Sequence, residues 1–68
     1  MRYVVEVDLE ADGRYIAGVP GLPGVIAYGA TREQALAKCE ALALHVIAER
    51  LEQGEMRPES FEMTIDAA

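Results

Sequence analysis

The chain has 68 residues, 12 acidic and 6 basic, and carries a formal charge of −6 at pH 7 with 51% hydrophobic residues. This length suits one small domain over residues 1–68, and the apolar content is too high for a disordered chain. The acidic balance argues against a free-standing nucleic-acid binder, which needs cations to displace phosphate counterions.

Residues Tyr3 to Glu10 alternate, with Tyr3, Val5, Val7 and Leu9 on one face and Glu6, Asp8 and Glu10 on the other. This is the period-two pattern of a half-buried strand. Ala11-Asp12-Gly13-Arg14 reads as a hairpin turn, Asp-Gly being suited to its positive φ. Tyr15 to Val19 is the second predicted strand. Pro20-Gly21-Leu22-Pro23-Gly24 is a loop stiffened by prolines that fix φ near −65°, and a third strand runs from Val25 to Tyr28 or Gly29.

Thr31 is a suitable helix N-cap, and Gln34 three residues later completes a capping box. Glu33 suits the positive end of the helix dipole. The helix is expected from Arg32 to Gln53, stopped by Gly54. At 100° per residue, Ala35, Leu36, Cys39, Leu42, Ala43, Val46 and Ile47 form one apolar stripe. Gln34, Lys38, His45, Glu49 and Glu52 gather opposite. A second patch, Ala37, Ala41, Leu44, Ala48 and Leu51, flanks the main stripe and is the candidate contact for a subunit or partner. Alanines placed for helix propensity alone would give a similar pattern.

A last strand is expected from Ser60 to Ile65, where Phe61, Met63 and Ile65 alternate with Glu62 and Thr64. The order is βββαβ. A strand–helix–strand connection of this length suits a right-handed crossover, with the last strand joining in parallel. The expected architecture is α+β and two-layered, one mixed sheet packed on one helix. A domain this small also leads us to expect a homo-oligomer, dimer or tetramer.

Within that pattern, Gly13, Tyr15, Pro20, Leu22, Pro23, Gly24, Gly29, Thr31, Ala35 and Leu36 follow a spaced motif. It comprises a turn glycine, an aromatic, a Pro-x-Leu-Pro-Gly loop, a glycine, and Thr-x-x-x-Ala-Leu opening a helix. The segment Asp12 to Ala43 resembles the HicB-like antitoxin family in this motif. Gly21 stands where that family usually has an acidic residue, and Val25 where Cys is common. Larger relatives append a helix-turn-helix or ribbon-helix-helix module. None is read here, so operator binding is not expected.

The resemblance implies a partial ribonuclease H-like fold without nuclease activity. It also implies a partner, a small basic HicA-like toxin that cleaves RNA and is blocked by the antitoxin. The negative charge agrees with such a partner. Some relatives are short and solitary, so the alternative is a structural or regulatory homo-oligomer without a toxin.

Glu6, Asp8, Glu10 and Asp12 form an acidic row and are the candidate partner-binding residues. Alternation alone also explains the row as a solvated sheet face. A metal-dependent nuclease site would need Asp8, Glu40 and Asp66 to converge, but Asp8 lies opposite the face that receives the helix. Catalysis, a metal and a cofactor are therefore not expected. His45 reads as a surface residue, with no second ligand near it. Cys39 reads as an inert core thiol. A single cysteine excludes an internal disulfide and suits a reducing compartment. The N-terminus lacks the apolar stretch of a signal peptide, and no run approaches the ~18 apolar residues of a membrane span. A cytoplasmic protein is expected.

Overall fold

The computed structural model describes residues 2–58 and 62–67. The order is β1 Arg2–Leu9, β2 Tyr15–Gly18, β3 Ile26–Gly29, α1 Arg32–Glu52 and β4 Glu62–Ala67. One mixed four-stranded sheet runs β3-β2-β1-β4. β1 is antiparallel to β2 and parallel to β4, and β2 is antiparallel to β3. The α+β, two-layer expectation holds at this level.

The hairpin forms as its chemistry requires. Gly13 has φ +91°, and its amide donates to the Glu10 carbonyl at 3.0 Å. Asp12 Oδ1 accepts from the Arg14 amide at 3.0 Å, closing an Asx-type turn. The helix starts at the expected cap: Thr31 Oγ1 accepts from the Gln34 amide at 3.1 Å. The return bond of the box is displaced by one residue, because Gln34 Oε1 accepts from the Ala30 amide at 3.0 Å rather than from Thr31. At the other end Gly54 takes φ +74°, and its amide donates to the Leu51 carbonyl. The left-handed glycine lets the chain turn away.

Gly29 sits where β3 meets the helix. A Cβ there would lie 2.5 Å from the Ala35 amide nitrogen, so only glycine permits this approach. The core is Tyr3, Val5 and Val7 of β1, Ala17 of β2, and Ala35, Leu36, Cys39, Ala43 and Ile47 of the helix. Val19, Leu22 and Val25 complete it from the Pro-Gly loop and its flanks.

Four expectations are corrected. Leu9, read onto the apolar face of β1, is 60% exposed at the last position of the strand. Leu42, read into the main stripe, stands exposed on its rim. β4 runs two residues past its expected end at Ile65, to Ala67. Ile65 on that strand is 48% exposed although it pairs with fully buried Val5. The helix packs on β1, β2 and β3 but does not reach β4, so Ile65 lacks a cover although Met63 on the same side packs against the core. Ser60 and Phe61 lie outside the described residues.

Candidate functional site

The helix covers one face of the sheet and leaves the other open. Alternation sends the side chains paired across the strands to a common face, so the open face can be read from the register. One row joins Glu6, Gly18 and Ile26; the next joins Asp8, Ile16 and Tyr28. Farther along β1 come Val4 opposite Thr64 and Arg2 opposite Glu62.

Two of these rows border a groove of about 380 Å³ between the sheet and the Pro-Gly loop. Its walls are Glu6 and Asp8 on one side and Pro20, Pro23, Gly24 and Ile26 on the other, with Ile16 and Gly18 between them. Three backbone hydrogen bonds hold the loop wall: Val19 amide to Val25 carbonyl at 3.1 Å, Leu22 amide to Val19 carbonyl at 2.9 Å, and Val25 amide to Leu22 carbonyl at 3.1 Å. Leu22 anchors the loop from beneath, only 1% exposed. Gly24 adopts φ +86°, which lets the loop return to β3. Gly18 keeps the groove open, since a Cβ there would stand 3.3 Å from the Val25 carbonyl oxygen.

The expected acidic row divides into two parts. Glu6 and Asp8 are exposed on the groove wall, and among the described residues neither pairs with a cation. Asp12 instead serves its own turn, with Oδ2 2.8 Å from Arg14 Nε. The hydrogen bond from the Arg14 amide, then that from its side chain, holds the Asp12 carboxyl below the usual carboxylate range. Arg14 lies over the Tyr28 ring at 4.5 Å, a cation–π contact at the end of the same face. Glu10 lies just past β1, half-buried, and its backbone closes the hairpin through Arg14. Arg2, at the opposite end, is bound by Glu62 Oε1 at 2.8 Å. Both arginines of this face are thus answered by the chain's own carboxylates, while Glu6 and Asp8 are not.

This arrangement offers two carboxylates beside an apolar trough. It suits a Lys or Arg side chain, whose stem lies on Ile16 and Ile26 while its head meets the carboxylates. No three His, Cys, Asp or Glu residues cluster as metal ligands among the described residues. Asp8 lies on the open face and Glu40 on the helix across the sheet, while the Asp66 side chain lies outside the described part of the structure.

The helix carries the second set of expected contacts. Ala37, Ala41, Leu44, Ala48 and Leu51 are all exposed, as are Lys38 and His45. Cys39 is buried and free, and burial first, then the nearby Glu40, pushes its thiol pKa up. Sequence reasoning missed the groove. Its only sequence signal is a glycine placed opposite Glu6, next to two prolines.

No family model matches the chain, and neither the curated proteins nor the solved structures contain a match. No helix among the described residues is long and apolar enough to cross a membrane.

Proposed function

We propose that this chain is a HicB-like antitoxin, a non-enzymatic inhibitor on a partial ribonuclease H-like scaffold. It binds a small basic HicA-type RNA-cleaving protein and occludes it. The observation that carries this reading is the open sheet face. Glu6 and Asp8 stand without cationic partners beside the Ile16–Ile26 trough, while Arg2 and Arg14 are internally neutralised. Such a face attracts a basic protein at long range and then packs against the stems of its cations. RNA-cleaving proteins hold their substrate with the same cations, so a partner docked there blocks substrate access.

The test is an RNA-cleavage assay of a small basic protein encoded beside this chain, titrated with wild type and with the Glu6→Lys/Asp8→Lys double variant. Wild type should abolish cleavage. The variant should need at least about tenfold more protein, since reversed charges at a contact cost over about 1.4 kcal/mol. Inhibition that survives the double reversal removes the open face from the mechanism. No inhibition by wild type removes the antitoxin reading.

A second reading is a solitary homo-oligomer. One observation favours it: Leu44 and Leu51 are 49% and 38% exposed on the outer flank of the helix, where the single chain gives them no cover.

A further inference from the structure

We propose that two copies of this chain pair through the outer flank of α1, with the helices antiparallel and Leu44 and Leu51 of each copy seated on alanines of the other. This develops the self-association reading and does not depend on a toxin. The pairing leaves the acidic sheet face open on both copies.

The flank has the spacing of a coiled-coil seam. Ala37, Ala41, Leu44, Ala48 and Leu51 are separated by four, three, four and three residues, which is the a/d repeat of helices that pack with a left-handed supercoil. The seam spans two heptads of a 21-residue helix. Its residue sizes select the arrangement. A parallel pair in register would set alanine on alanine in three layers and leucine on leucine in two, giving uneven separation along the seam. In the antiparallel pair, Ala41 meets Leu51 of the second copy and Leu44 meets its Ala48; the twofold axis repeats both layers. Each of the four layers then holds one small and one large residue, which keeps the helices equally spaced.

Charge agrees with the same register. It brings Lys38 of each copy beside Glu52 of the other, so the twofold axis makes two ion pairs. All these side chains are exposed in the single chain. The helix is also the part of the molecule best able to approach its own copy. Residues 32–52 carry four acidic side chains (Glu33, Glu40, Glu49, Glu52) against three basic ones (Arg32, Lys38, Arg50), so they account for only one of the six net negative charges. The acidic sheet face lies on the far side of the molecule.

The experiment is sedimentation equilibrium on the full chain, comparing wild type with Leu44→Glu, Lys38→Glu, Glu52→Lys and the Lys38→Glu/Glu52→Lys double swap. Circular dichroism checks that each variant keeps its fold. Wild type should be a dimer at micromolar concentration. Leu44→Glu should weaken it by at least about a hundredfold, because each copy then buries a charge in the seam. Each single reversal should weaken it roughly five- to tenfold, and the double swap should restore it. A monomeric wild type overturns the proposal. A dimer insensitive to Leu44→Glu also overturns it and points to another surface, such as the uncovered edge of β4. Loss on Leu44→Glu without rescue by the double swap overturns the antiparallel register.

Discussion

The two faces of the sheet share the same strands and differ in what decides each residue's identity. On the covered face Tyr3, Val5, Val7 and Ala17 meet the helix and the buried loop residues, and their shapes must fit. On the open face Glu6, Asp8, Ile16 and Ile26 meet solvent across a groove, and only charge and the width of the trough matter. Alternation along β1 places the two kinds of constraint on neighbouring residues. Substitutions one position apart should therefore have opposite profiles, one set acting on stability and the other on binding.

The sharpest break in that comparison is Leu22→Ala. Leu22 belongs to the covered face but reaches it from the loop that walls the open groove. Urea unfolding should show a loss of about 2–5 kcal/mol, the range for a fully buried leucine. The loss is a large share of the stability of a domain this small. A cost below that range would mean that the loop wall is held by its backbone hydrogen bonds alone.

Gly18→Ala comes next, and it touches both faces' logic at once. The added methyl meets the Val25 carbonyl at 3.3 Å and also enters the groove floor. About 1 kcal/mol of destabilisation is expected from this overpacking, together with weaker binding of any partner that uses the trough. Thr31→Ala should cost a similar ~1 kcal/mol by removing the cap on the Gln34 amide, and it should leave binding alone. The pair separates a groove effect from a stability effect of equal size. By contrast, replacing Glu6 with Gln and Asp8 with Asn should change unfolding free energy by no more than about 0.5 kcal/mol each, while removing the charge that the open face offers a basic partner.

Much of the covered face was legible in the sequence. The alternation of Tyr3, Val5 and Val7, the Thr31 cap, the Gly54 stop and the helix stripe each express a local rule, and each has its expected place. The misreading of Ile65 depends on how far the helix extends over the sheet. Ile65 has the right parity for the core but lies on a strand the helix does not reach, a fact set by crossover geometry and not by the strand's own pattern. The open face was less legible. The acidic row was visible as four residues, yet its division depends on Asp12 turning back to Arg14, a local hydrogen bond that competes with any outside partner. The groove was invisible, since it needs a glycine on β2 and a loop folded against it at the same time.

The smallest expected effect tests that division of the acidic row. Asp12 has its folded-state pKa lowered from the ordinary value of 3.8 by the two hydrogen bonds from Arg14. A group with a depressed folded pKa adds stability that is complete above its unfolded value and lost as pH falls through the folded one. Asp12 therefore helps the fold above pH 3.8, and its contribution fades below that pH. Asp12→Asn keeps an oxygen for the Arg14 amide but has no proton to take up. The difference in melting temperature between wild type and this variant should be constant above pH 3.8 and should shrink as the solution is acidified further. Asp12 is exposed, so the change should be modest and should diminish with added salt. If Asp12→Asn shows no acid-dependent difference, its bond to Arg14 does not persist in solution. Asp12 would then rejoin Glu6 and Asp8 as a carboxylate available to a partner, and the acidic surface of the open face would extend from the groove to the hairpin turn.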